Sequence, residues 1–229
     1  MGGKRNRQNY RKRFFKDQFT MFGDAPKEIK GVPPVKWTSL PRELADRFRA
    51  VLKTSQDEKP LQKFFEENPA ALLMGIERPH TAFVLPRQNL PKPGGGWWTP
   101  DFLICDWTSI GPIWTVVELE SPNAIVTSTK GLSAGFLHAR QQIEDYRSHA
   151  LQHTELLRAG GWPGLDANCK ACIVIGRSTN YDETNRQRLA NLRGQRIEVA
   201  SYDRLLLTVE EWIEALQRTI KKMRSRKRP

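Results

Sequence analysis

A chain of 229 residues, 38% of them hydrophobic, has enough apolar side chains for one full α/β domain with its own core and too few for two large ones. No run of 18 apolar residues and no apolar segment behind the basic start marks a transmembrane helix or a secretory signal, so the chain reads as cytoplasmic. The net charge of +12 sits at the ends: residues 1–16 and 218–229 each carry seven cations and no acid, and removing those fourteen leaves −2 for the body.

Two acid-free basic tails on a near-neutral body suit attachment to a polyanion, and nucleic acid is the commonest one in a cytosol. The candidate nucleic-acid contacts are Lys4, Arg5, Arg7, Arg11, Lys12 and Arg13 in the first tail and Lys221, Lys222, Arg224 and Arg226 in the second. Tyr10, Phe14 and Phe15 among the first group suit contact with bases or protein. The chain therefore divides into a basic arm (1–38), a folded domain (39–217) and a basic tail (218–229).

Within the domain, Ser39-Leu40-Pro41 opens a helix with Leu44, Phe48, Val51 and Leu52 on one stripe, and a second helix runs from about Glu58 to Asn68, stopped by Pro69. Thr81–Leu85 reads as a strand, and the stretch LPRQNLPKPGGGWW as a long flexible loop. Its three glycines precede no helix and do not make a dinucleotide fingerprint. Thr99–Trp107 and Pro112–Glu120 are strands joined by a four-residue loop. Ser133 caps a helix to about Arg158. A strand (Ala171–Gly176), a helix (Glu183–Leu192), a strand (Arg196–Ala200) and a last helix introduced by Thr208, with Glu211 completing a capping box, finish the domain. Cys105, Cys169 and Cys172 read as buried strand thiols, and His149 and His153 as a solvated helix face.

The stretch GPIWTVVELESPNAIV poses the chemical question. Ile113, Trp114, Val116 and Val117 make an apolar strand, and Glu118 and Glu120 then interrupt it two positions apart, on one face of the sheet. If Trp107 and Pro112 flank the hairpin loop, partners sum to 219 and Asp101 falls opposite Glu118, with Cβ atoms about 4.5–5.5 Å apart. Bare anions at that spacing beside apolar neighbours repel. An oxygen-seeking divalent ion such as Mg²⁺ or Mn²⁺ removes the conflict.

TPDFLICDW followed by WTVVELE resembles the Pro-Asp … (Asp/Glu)-x-Lys signature of the PD-(D/E)XK nuclease superfamily, with Pro100-Asp101 as the first half and Glu118-Leu119-Glu120 as the second. The QIEDY stretch, with Gln142 and Tyr146, resembles the Gln-x-x-x-Tyr motif of its RecB-like members. LQKFFEENPAALL, VVELESP, HARQQIEDYR, IVIGRS and SYDRLL together resemble the nuclease domain of Shedu anti-phage proteins over about residues 57–207. The resemblance implies an α/β fold with a restriction-endonuclease-like core, its mixed central sheet flanked by helices, and a metal-dependent DNA endonuclease that acts in bacterial defence as a homo-oligomer.

It also implies site roles. Asp101 and Glu118 would ligate the metal, with the Leu119 carbonyl as a further ligand, and Glu120 would ligate it or deprotonate the water. Gln142 and Tyr146 would serve the metal's surroundings and the scissile phosphate, and Glu58, on one helical face with Gln62, would approach from the helix before the strands. Glu120 stands where the pattern has lysine, and glutamate cannot be that cation. Either Glu120 is itself a working base or ligand, or Lys130 supplies the ammonium from another backbone position. The alternative function is a binding module, descended from such a nuclease, that holds DNA without cutting it.

Overall fold

The structure, a computed structural model, describes residues 25–36, 40–76, 81–92, 95–108, 110–128, 131–181, 187, 189 and 194–225. Three helices come first: α1 (Glu43–Thr54), α2 (Lys59–Glu67) and α3 (Pro69–Ile76). α1 buries Leu44, Ala45, Phe48 and Leu52, close to the stripe its spacing predicts. Pro69, expected to stop the second helix, also begins α3. Its fixed φ and missing N–H suit a first helical position, and the apolar run that follows buries Ala71 to Gly75. Gly75 lets α3 approach the last helix closely, since a Cβ there would stand 2.6 Å from Leu205 Cγ.

β1 (Ala82–Pro86) follows, and the stretch read as a flexible loop holds a small hairpin, β2 (Leu90–Pro91) against β3 (Trp97–Trp98). Trp98 gives the hairpin an anchor, for its ring meets Tyr146 edge-on at 5.6 Å and carries Lys92 Nζ 3.9 Å above it. β4 (Phe102–Thr108) and β5 (Gly111–Leu119) pair antiparallel in the predicted register, from Phe102↔Val117 through Trp107↔Pro112. Thr108 and Gly111 themselves pair, so the ladder runs one step further than the predicted four-residue loop allows. A second small hairpin, β6 (Thr127–Ser128) with β7 (Gly131–Leu132), leads into α4 (Ala134–Gln152).

Ser133 caps α4 as expected, its Oγ accepting from the Phe136 N–H at 3.2 Å. The helix breaks at His153 instead of running to Arg158, and a short α5 (Thr154–Ala159) follows. The Thr154 hydroxyl donates to the Ala150 carbonyl at 2.9 Å, taking the acceptor that a continuing helix would give to the Thr154 N–H. β8 (Lys170–Val174), β9 (Ile197–Ala200) and α6 (Tyr202–Ser225) complete the chain, while the helix predicted over 183–192 lies almost wholly outside the described residues. α6 starts six residues before Thr208. Ser201 is the working cap, accepting from the Arg204 N–H at 3.2 Å, and Thr208 instead donates to the Arg204 carbonyl inside the helix.

The sheet order is β1-β4-β5-β8-β9, antiparallel in its first three strands and parallel in its last three. Side-chain alternation then gives it two cores. Val84, Phe102, Ile104, Val117, Cys172 and Val174 pack under α1, α2, α3 and α6, while Phe83, Leu103, Cys105, Trp114, Val116 and Ile173 pack under α4 and α5. In the first core Phe48, Phe64 and Phe65 lie with ring centroids 5.1–5.6 Å apart, and burying each such side chain contributes about 1.5–3 kcal/mol. The chain thus forms the expected α/β core, a mixed central sheet with helices on both faces. All three cysteines are buried and none is in a disulfide. Among the described residues no helix is long and apolar enough to cross a membrane.

Candidate active site

Alternation along two strands builds the site. Leu103 and Cys105 of β4 and Trp114 and Val116 of β5 face the α4 side, so Asp101 and Glu118, in step with them, face it too. Asp101 stands one residue before β4, where the register brings it opposite Glu118. Its Oδ2 accepts from the Leu119 N–H at 2.8 Å, which fixes the carboxylate against the end of β5. Burial pushes the Asp101 pKa up; the Leu119 N–H and the charge of Arg87 pull it down, and Glu58 and Glu66 raise it again.

Glu118 is only 4% exposed, and its Oε1 has no hydrogen-bond partner. The Tyr146 hydroxyl, presented by α4, is close enough to the Glu118 side chain to favour its ionised form. Burial first, then the charge of Asp101, raise the Glu118 pKa to about 9, against the opposing pull of Tyr146. The same burial, with Glu118 nearby, raises the Tyr146 phenol. Tyr146 is therefore a neutral donor throughout the ordinary pH range.

Glu120 follows the last residue of β5, and its main chain is held from two sides. Its N–H donates to the Val174 carbonyl at 2.8 Å, and its carbonyl accepts from the buried Tyr202 hydroxyl at 2.7 Å. Burial, then Glu58 and Asp101, push its pKa up to about 7. Its Oε2 lies 3.1 Å from where a Cβ on Gly135 would stand, so the bare backbone of the first turn of α4 makes room for the carboxylate. Glu58 immediately precedes α2, and the segment before it is tied to the chain after β5: Ser121 Oγ and Asn123 Nδ2 donate to the Gln56 carbonyl at 3.1 and 3.0 Å.

Four predicted acids therefore act on one another, and Tyr146 joins them. Gln142 lies half-buried on α4 one turn before Tyr146, and Leu119 is buried with its N–H engaged by Asp101. Among the described residues no three His, Cys, Asp or Glu side chains already converge as a metal cage. The site is a facing pair, Asp101 and Glu118, with Glu120 and Glu58 within electrostatic reach. Lys130, Lys4, Arg5, Arg7, Arg11, Lys12, Arg13 and Arg226 lie outside the described residues, and Lys221, Lys222 and Arg224 belong to the last turns of α6.

Several site residues carry no mark that the sequence alone makes plain. Buried Gln62 donates from Nε2 to Glu66 Oε1 at 3.1 Å and to the Asp101 carbonyl at 3.4 Å, and Arg87 Nε lies 3.5 Å from Glu66. Gln62 and Glu66 follow Glu58 by four and eight residues, a helical stripe that could have been read; Arg87 and Gly135 carry no such signal. His149 is a correction. It is 5% exposed rather than solvated, its ring 4.9 Å from that of His153, and burial followed by His153 lowers its pKa.

No curated protein matches the chain. Among solved structures it is similar to the restriction endonuclease FokI bound to DNA, at 14% identity and a TM-score of 0.44, over 79% of this chain and 29% of that one. The family described as Shedu protein SduA, C-terminal, matches residues 55–206, a span that takes in Glu58, Asp101, Glu118, Glu120, Gln142 and Tyr146. By that match the chain belongs to the Shedu SduA C-terminal family.

Proposed function

We propose that this chain is a divalent-metal-dependent nuclease that hydrolyses phosphodiester bonds in DNA, acting in bacterial anti-phage defence. The observation that carries the reading is Glu118, a carboxyl buried opposite Asp101 with one oxygen left unpartnered. Stability alone would favour an apolar side chain at such a position. Family membership supports the same reading.

Facing carboxylates with an unpartnered oxygen fit Mg²⁺ or Mn²⁺, which take hard oxygen ligands. Asp101 and Glu118 would hold the ion, with Glu120 or the Leu119 carbonyl completing the set. When bound, the ion supplies charge that stabilises the negative charge developing on the phosphoryl oxygens. The chain's own residues do the remaining work. The Leu119 N–H orients Asp101, and Tyr146 orients Glu118. Glu120, with a pKa pushed to about 7, takes the proton of the attacking water near neutral pH, where a general base is most effective. Gln142, one turn from Tyr146, faces the scissile phosphate, and water attacks in line without a covalent enzyme intermediate. The cations of the arm and tail hold the DNA, and the working form is a homo-oligomer.

A second reading, a DNA-binding module that does not cut, is favoured by Glu120 in the position of the motif lysine. Plasmid nicking with Mg²⁺, Mn²⁺ or EDTA separates the two. Asp101→Asn and Glu118→Gln are expected to abolish cleavage and keep DNA binding, and either variant cutting at the wild-type rate would sink the assignment. Wild type that binds DNA but cuts with no divalent metal selects the second reading. Deleting residues 1–16 is expected to flatten the salt dependence of binding by about 0.9 in log-log slope for each phosphate that the arm had neutralised.

A further inference from the structure

The acidic end of the sheet contains a cation that the motif does not predict. Pro86 pairs with Phe102 in β1 and β4, and the ladder extends one residue further, the Arg87 N–H donating to the Asp101 carbonyl at 3.0 Å. Asp101 is thus flanked across the sheet by Glu118 on the β5 side and Arg87 on the β1 side. Arg87 has a φ of 43°, a left-handed conformation that non-glycine residues seldom adopt. An extended residue there would follow Leu85 toward the α4-side core. The left-handed turn breaks the alternation, and the guanidinium instead reaches Glu66 on α2, itself held by buried Gln62.

What holds Arg87 in this conformation is not a strong ion pair. Its contact with Glu66 is 3.5 Å long, between side chains that are 60% and 35% exposed, and such a pair contributes little to stability. The backbone is held instead by the Arg87 N–H on the Asp101 carbonyl, and an uncommon conformation over-determined by its surroundings is a mark of functional placement.

We propose that Arg87 is the catalytic cation of this site. Its guanidinium leaves Glu66 for the scissile phosphate and stabilises the charge that the motif lysine would otherwise meet, with Glu66 holding it in reserve when DNA is absent. A planar guanidinium suits this exposed position, because it can grip two phosphate oxygens at once. Glu120 is then free to act as the base. The role rests on the nuclease reading of the same site.

The test uses the full chain and three variants, Arg87→Gln, Arg87→Lys and, as a remote control, Arg158→Gln. Mn²⁺ binding is measured by calorimetry without DNA, and cleavage at saturating Mn²⁺. Arg87→Gln is expected to bind Mn²⁺ several-fold more tightly, since a nearby positive charge is gone, yet to cut about 10² to 10³ more slowly. A merely structural residue would move both in the same direction. Added guanidinium ion should recover part of the missing rate, Arg87→Lys should retain part of it, and Arg158→Gln should match wild type. Arg87→Gln cutting at the wild-type rate, or losing Mn²⁺ affinity together with activity, overturns the proposal. Wild type that cuts nothing sinks the nuclease reading and this catalytic role with it. Mn²⁺ tightening in Arg87→Gln under that outcome would mark Arg87 as part of the charge balance of a binding site only.

Discussion

Asp203 and Glu118 show two ways of placing a carboxyl in this fold. Asp203, in the first turn of α6, receives Arg177 Nε on both oxygens at 2.9 and 3.0 Å, a further Arg177 nitrogen at 2.7 Å and the Ser178 N–H at 2.7 Å. These partners hold its pKa below the ordinary carboxylate value although burial opposes them. Glu118 has a tyrosine hydroxyl nearby, one unpartnered oxygen and a second acid opposite, and its pKa rises to about 9. The same chain satisfies one acid completely and leaves the other unbalanced. The first joins the loop after β8 to a helix, and the second is the carboxyl on which the proposed metal site rests.

The largest expected consequence is in the pH dependence of metal-free stability. Glu118 and Glu120 have folded pKa values of about 9 and about 7, above their ordinary 4.5, so between those limits the folded state holds protons that the unfolded state releases. Stability therefore falls as pH rises from about 4.5 toward about 9, at up to about 1.4 kcal/mol per pH unit for each such proton. Asp203 has the opposite sign: its contribution is present at neutral pH and disappears as pH falls through its lowered pKa. Urea denaturation in EDTA from pH 5 to 9 measures the slope, and Glu118→Gln should remove most of it. A profile that stays flat in wild type would mean that Glu118 is not the unbalanced group described here.

Next in size is the chemistry of Glu120, which stands between the two extremes. Glu120→Gln keeps the shape but cannot take a proton, and is expected to lower cleavage by about 10² or more. Glu120→Lys rebuilds the motif pattern at the position beside Gly135. Retained activity in Glu120→Lys, with Glu120→Gln inactive, would show that either a base or a cation can serve this position. Equal loss in both would restrict the position to a carboxylate.

The satisfied acid supplies the third contrast. Asp203→Ala should destabilise the protein by about 2 kcal/mol, as expected for several charge-assisted hydrogen bonds in a half-exposed setting. Glu118→Gln in EDTA at pH 8 should cost nothing or stabilise, because the amide folds without taking up the proton that the wild-type carboxyl binds below its pKa of about 9. Denaturant midpoints of the two variants side by side give the comparison directly, and a large loss in Glu118→Gln would reverse it.

Much of this is legible in the sequence because it is local or periodic. The β4–β5 register follows from one hairpin and a period of two, and those alone bring Asp101 to Glu118. The α4 cap and the Gln142–Tyr146 face follow from Ser133 and a period of 3.6. What stays hidden depends on tertiary packing. α3 escapes a reading by pattern because a helix buried almost all round shows no amphipathic period, and Pro69 reads equally as a stop or a start. The start of α6 is misplaced by pattern because Thr208-x-x-Glu211 is a good capping box inside a helix already begun at Ser201. Arg87 is invisible because its role comes from a left-handed φ, and no residue type announces that in an arginine.

The smallest effect expected is at Gly135, where the needs of helix and site diverge. Alanine is a better helix former than glycine, and near the start of α4 the change should favour folding by at most about 0.5 kcal/mol. Its Cβ would stand 3.1 Å from Glu120 Oε2, closer than such contacts normally come, so the carboxylate has to shift by a few tenths of an ångström. Because the Glu120 main chain is held by Val174 and Tyr202, that shift falls on the side chain and changes the direction of its oxygens. Gly135→Ala is therefore expected to melt at or slightly above the wild-type temperature while cutting about tenfold more slowly, a loss of the size that sub-ångström misplacement of a working group produces. In the Glu120→Gln background the same substitution should have almost no further effect on rate, since the group it displaces is already inert. A full additional loss in the double variant would mean that Gly135 acts on something other than Glu120.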